Sequence, residues 1–315
     1  MKTSQDDPNV KPLTRRRSSD CIRDNNIIGE DPMRVVQGRE LPFIERTNQP
    51  RGGRFRQRRL LAGEPGSPGN FLLQNSETFG DFASPRHRHN FEQYRYQLRG
   101  TFQFDRDGTM APGVVGYFPE GTPYGPQTSS EDSLTLVLQF GGASRNGYMS
   151  EPELSASVAA LKQQGSFKNG VYSRETAEGG RINQDAYEAA WEHNFGRKVS
   201  YPPMRFQAPV FMNPEHFGWV QPPDAAGISL KHLGSFGECR TDIGFLKFAA
   251  GASYTLAGPR ILYGLAGSGR IASPGGAALD EWQAETAIEI RGRESITLRA
   301  TEPAELLFIG LPQLH

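Results

Sequence analysis

Cysteine is nearly absent from this 315-residue chain: Cys21 and Cys239 stand far apart, with no CxxC spacing. A disulfide scaffold and a cysteine-rich zinc site are not expected, and a reducing, cytoplasmic setting is. A net charge of either sign is missing too, since 35 Lys and Arg balance 35 Asp and Glu. With no overall field to recruit polyanions or acidic lipids, neither nucleic acid nor a membrane is an expected partner. No apolar run approaches the roughly 18 residues of a membrane span. The Arg15–Arg17 cluster is followed by no apolar stretch, so it does not read as a secretory signal. There is no Gly-x-Ser-x-Gly elbow and no histidine close to either cysteine, which leaves nucleophilic catalysis unsupported.

What the chain has instead is turn formers, 36 Gly and 23 Pro, a composition that favours many short strands. Residues 1–60 carry 14 Lys and Arg against 8 Asp and Glu, and "RGGRFRQRR" at 51–59 reads as an exposed strand with solvated arginines rather than an RNA site. Residues 1–32 read as a disordered leader, and Met33 with the strand-like "RVVQG" as the start of the folded part. From 54 to 141 strand-like runs such as "FEQYRYQLRG" and "LTLVLQFGG" alternate with turns, the pattern of a β sandwich or barrel. A helix is expected over 150–165, opened by the capping box Ser150–Glu153, with Leu154, Val158 and Leu161 on one face and Gly165 as its stop. A second is expected over 183–196, carrying Tyr187 and Trp191 and closed by Gly196. Strand signals resume near Met204. The plan is therefore a leader at 1–32, a β domain at 33–148, a helical connector at 149–200 and a second β domain at 201–315. Aligning Leu98–Gly100 with Leu265–Gly267, an offset of 167, suggests that the two β domains are duplicates.

The most informative stretch is "PRHRHNFEQYRYQLRG" at 85–100. Alternate side chains of a strand share a face, so His87, His89, Phe91 and Gln93 point one way and Glu92, Tyr94 and Tyr96 the other. Two imidazoles at i and i+2 can hold one ion such as Zn, Cu, Fe or Ni. Gln93, not Glu92, keeps the parity of a third ligand.

This stretch resembles the first motif of the cupin superfamily, with Gly80, His87, His89, Gln93 and Gly100 in the motif positions. "GVVGYFPEGTPY" resembles the second motif through Gly113, Pro119 and Gly121, with Tyr124 where a histidine belongs. The resemblance implies an all-β fold of two jelly-roll barrels, a bicupin, with a short helical connector and a degenerate C-terminal barrel. At the 167 offset His87, His89 and Gln93 correspond to Tyr254, Leu256 and Arg260, which cannot form a metal site; Arg260 could bind an anion there.

What the resemblance implies for function is a metal-dependent enzyme acting on a small organic molecule in the N-terminal barrel. His87, His89 and Gln93 would hold a divalent ion, with Tyr124 as fourth ligand or as acid–base catalyst, and Phe91, Phe102, Phe104 and Gln127 would contact substrate. Tyr117 and Phe118 add to the aromatic strands of the expected site. Iron is the ion expected first, then nickel, manganese or zinc, and the leading reaction is that of an iron-dependent oxygenase. A metal-assisted lyase, decarboxylase or isomerase is the alternative, and a non-catalytic small-molecule-binding cupin is the rival from another class. The missing carboxylate counts against a tightly held metal. Partners expected are a small molecule and, in a homodimer, a second copy of the chain. His193 and His216 are expected on the surface or in packing.

Overall fold

The computed structural model describes residues 33–45, 54–67, 69–142, 144, 146 and 148–312. The expected leader, with Cys21, lies outside them. The described chain forms two β barrels, each made of a large and a small antiparallel sheet. In the first barrel the large sheet runs, edge to edge, Ile44–Glu45, Phe55–Ala62, Phe71–Thr78, Ser133–Phe140, Glu92–Arg99, Val115–Phe118 and Val210–Met212. The second runs Ile228–Phe236, Thr241–Phe248, Ala304–Gly310, Arg260–Ala266, Thr286–Ile290 and Met33–Gln37. The five strands from Phe55–Ala62 to Val115–Phe118 follow the same order as the five from Ile228–Phe236 to Thr286–Ile290. The small sheets also match: Ala83–Ser84, Gln127–Thr128, Phe102–Gln103, Thr109–Met110 against Ser253–Ala257, Ser295–Ala300, Ser268–Ala272, Ala278–Gln283. The order of nine strands repeats, so the duplication suggested by one offset extends through the whole unit.

The edges are exchanged. Met33–Gln37 pairs with Thr286–Ile290 of the second barrel, and Val210–Met212 pairs with Val115–Phe118 of the first. Each covers an edge that would otherwise expose unpaired backbone groups. The boundaries expected at 33 and 201 shift accordingly: Met33–Gln37 belongs to the second barrel and Val210–Met212 to the first. The two large sheets pack face to face through Tyr94, Leu136, Leu138 and Phe140 on one side and Ile243, Phe245, Ile261 and Ile309 on the other.

The connector is not purely helical. Helix α1 (Glu151–Leu161) is followed by a three-stranded meander, Ser166–Lys168, Val171–Glu175 and Arg181–Asp185, and then by α2 (Ala186–Phe195). The Ser150–Glu153 capping box opens α1, and Asp185 caps α2, whose end is the left-handed Gly196. Helix α1 stops at Leu161, before the expected Gly165. That glycine serves the meander, where a Cβ would meet the Ser173 carbonyl. The arginines of the "RGGRFRQRR" stretch are not all solvated either: Arg58 is buried, bonded to Asn75 and Glu285, with Phe43 against its guanidinium.

The barrel interiors differ in kind. The second is filled by Leu246, Leu262, Ile288, Leu306 and Phe308, all buried. The first has polar groups at the matching places. Leu262 is paired with Ile288 and Phe308, while Arg95 is paired with Gly116 and Val137 in the same arrangement. By the same registers, Ser76 and Thr135 stand where the second barrel has Leu246 and Leu306. Burying polar groups without full partners costs free energy, so the first barrel is not built for stability alone.

Candidate functional site

Inside the first barrel is a cavity of about 200 Å³. Its floor comes from the large sheet, with Gln74, Gln93, Arg95 and Val137 among the lining residues. Aromatic side chains, Phe55, Phe82, Phe91 and Phe102, form much of the wall. The connector contributes Tyr148 just before α1, Glu151 and Leu154 on α1, and Tyr187 on α2. Tyr187 is fixed by donating to Asn90 Oδ1 (2.9 Å) and packs edge-on against His89 and Phe91.

The structure brings His87, His89, Gln93, Phe91, Phe102 and Gln127 to the cavity wall. Tyr124 and Phe104 stand one layer behind it, both buried. The hydrogen bonds specify how the polar residues are used. His87 Nδ1 donates to the Pro85 carbonyl (2.7 Å), which leaves Nε2 to accept from the Tyr124 hydroxyl (3.0 Å). Gln93 Nε2 donates to His89 Nδ1 (3.2 Å), and Tyr124 Oη lies 3.3 Å from the same nitrogen. Arg95 Nε and Nη2 both donate to Gln93 Oε1 (2.9 and 2.7 Å), Nη2 donates to Tyr124 Oη (2.8 Å), and Nη1 donates to Gln127 Oε1 (3.0 Å). The guanidinium lies over the Phe118 ring, 4.2 Å from its centre.

Arg95 is thus the hub of the polar cluster, and sequence reading passed over it. The signal was present: in a strand, Arg95 shares the parity of Gln93, so an inward Gln93 implies an inward arginine. Gln74, Tyr148 and Tyr187 were also missed. His193 and His216 are exposed and outside the cavity. Arg260, the counterpart of Gln93, faces Phe308 and lies 3.8 Å from the Asp242 carboxylate, so its charge is matched within the second barrel.

Glu92 turns to the opposite face of the sheet, where it is buried and ion-paired with Arg205. Burial pushes its carboxyl above the usual value, against the opposing pull of Arg205 and Tyr117. Burial likewise raises Glu120, which accepts hydrogen bonds from Ser144. A carboxyl with a raised value in the folded state binds its proton more tightly there than when unfolded. Its contribution to stability is full below about pH 4.5 and is lost as pH rises through the folded value. Glu92→Gln is expected to flatten the decline of stability with rising pH, read from urea midpoints between about pH 4 and pH 8; an unchanged slope would show that Glu92 does not cause it.

The donor set does not fit a divalent ion. No cluster of three His, Cys, Asp or Glu occurs among the described residues. Both ring nitrogens of His87 are engaged, and the Gln93 oxygen already accepts twice from Arg95. An ion ligated by that oxygen would sit roughly 4–5 Å from the guanidinium, a repulsion of about 7 kcal/mol at an effective dielectric constant of about 20.

No protein-family model and no curated protein matches the chain. Solved structures do match over most of its length. A putative dioxygenase from Nostoc punctiforme is similar with 9% identity, TM-score 0.59, covering 89% of this chain and 83% of that one. The oxalate decarboxylase of Bacillus subtilis, described with Mn(II) centres, has 14% identity, TM-score 0.52, and coverage of 91% and 79%. Streptomyces albus HEPD, with 2-hydroxyethylphosphonate and Fe(II) bound, has 15% identity, TM-score 0.54, and coverage of 89% and 76%. At such identities the likeness concerns architecture, not chemistry. Together with the repeated strand order and the His87–His89 stretch, it establishes that this chain has the two-barrel cupin fold.

Proposed function

We propose that the N-terminal barrel is a metal-independent small-molecule-binding site in which the Arg95 guanidinium supplies the positive charge that a divalent ion supplies in metal-dependent cupins. The observation that carries this reading is the position of Arg95: it reaches both candidate ligands that are not histidines, Gln93 and Tyr124, and stands where the duplicate barrel has Leu262. The polar wall supports a ligand as well. Gln74 Oε1 is buried without a partner among the described residues, on the strand next to Val137. An unsatisfied buried acceptor is costly unless an occupant meets it.

The iron-dependent oxygenase and the metal-assisted lyase both need a dication held roughly 4–5 Å from the guanidinium, against its charge. Acid–base catalysis by Tyr124 also lacks support, because its hydroxyl is committed to His87 and Arg95 behind the wall. Binding is the reading that needs no further group.

A thermal-shift screen of small organic compounds, run with chelator present, tests it. Compounds that raise the Tm of the wild type should do so without added metal. They should have no effect on Val137→Phe, which fills the cavity. Stabilisation that appears only when a divalent ion is added would overturn the proposal.

A further inference from the structure

We infer that the ligand of this cavity is a small organic monocarboxylate, with its carboxylate on Arg95 and its apolar body between the aromatic walls. The inference rests on the metal-free binding reading and adds the chemical class. Its first support is charge. Every hydrogen-bond partner of Arg95 among the described residues is neutral: Gln93, Gln127 and Tyr124. Among the described residues Arg95 forms no ion pair, whereas Arg58, Arg59, Arg86, Arg205 and Arg260 all do. The carboxylate on the wall, Glu151, is committed to Arg59 and Gln57. A half-buried guanidinium without a counter-ion is unfavourable, and an incoming carboxylate supplies both the charge and a charge-assisted hydrogen bond.

The second support is valence. A guanidinium carries five N–H groups. Arg95 uses four, two on Gln93 and one each on Tyr124 and Gln127, which leaves one N–H on Nη1 without a protein acceptor among the described residues. The neutral partners also fix the plane of the group. They prepare the guanidinium for an anion instead of neutralising it.

The third support is size and wall chemistry. A hydrocarbon-lined cavity of roughly 150 Å³ accepts benzene. This one, at about 200 Å³, has room for one ring and a substituent. Phe55, Phe82, Phe91, Phe102, Tyr148 and Tyr187 supply ring faces and edges for such a body. A dicarboxylate would put its second charge against these rings with no cation to meet it, so a single carboxylate fits best.

The test is calorimetric titration of the full-length protein, in chelator, with benzoate and with the neutral isostere benzamide. Benzoate is expected to bind at least tenfold more tightly than benzamide. Arg95→Met should lower benzoate affinity at least tenfold and abolish the preference, while Arg95→Lys should keep part of it, the charge without the fork. The wild-type comparison stands even where a variant fails to fold. Equal or tighter binding of benzamide overturns the carboxylate assignment and leaves metal-free binding intact. So does a preference that persists in Arg95→Met, or no benzoate binding at about 10 mM. Benzoate binding that requires an added divalent ion overturns both.

Discussion

The double variant Gln93→Glu/Arg95→Ala is expected to take up close to one divalent ion per chain, whereas the wild type takes up almost none. Two obstacles separate this barrel from a metal site: the missing anionic ligand and the guanidinium in the ligand cluster. The double variant removes both and keeps the His87–His89 pair. Losing a repulsion of about 7 kcal/mol and gaining a carboxylate is expected to raise affinity for Mn(II) or Zn(II) by roughly a thousandfold or more. Gln93→Glu alone should achieve little of this, because the introduced carboxylate would pair with Arg95, which already makes two hydrogen bonds to the residue at that position. Elemental analysis after metal loading and desalting checks all three proteins. A double variant that stays as metal-free as the wild type would show that the histidines are not arranged to hold an ion even when the charge is right.

Arg205→Met should produce the largest loss of stability, about 3–5 kcal/mol at pH 8. Arg205 links Glu92, on the back face of the large sheet, to Glu238 in the second half of the chain. Without it, the buried Glu92 carboxylate has no cation, and burial already raises its proton affinity. The loss should be smaller at about pH 5 than at pH 8, because burial raises the proton affinity of Glu92 and a falling pH favours its neutral form, and the double change Glu92→Gln/Arg205→Met should recover most of the stability. Urea unfolding at the two pH values reads this directly. A loss equal at both would mean that Arg205 acts by packing and not by charge.

Much of this architecture was legible in the sequence. Turn spacing indicated barrels, the Ser150–Glu153 box located α1, and strand parity placed Gln93 with His87 and His89 and turned Glu92 away. The meander at 166–185 was not legible, because its strands are short and largely exposed and carry no clean alternation of apolar residues. Nor was the exchange of Met33–Gln37 and Val210–Met212, since edge pairing across about 250 residues in the first case and about 95 in the second leaves no local trace. Within the site, the two-histidine stretch was conspicuous and Arg95 was not. A motif directs attention to its own positions, and Arg95 is not among them. Its importance appears only when the strand is folded against Gln127 and Tyr124, and when the duplicate barrel shows leucine in its place.

The Arg95 guanidinium is proposed to supply the positive charge that an ion supplies in metal-dependent cupins, and so to keep divalent ions out. The measurement that tests it most directly is the metal content of the wild-type protein after incubation with excess Mn(II), Fe(II) or Zn(II) and desalting. Far less than one ion per chain is expected for each metal, unchanged in His87→Ala/His89→Ala. A stoichiometric ion that disappears in that double variant would contradict it.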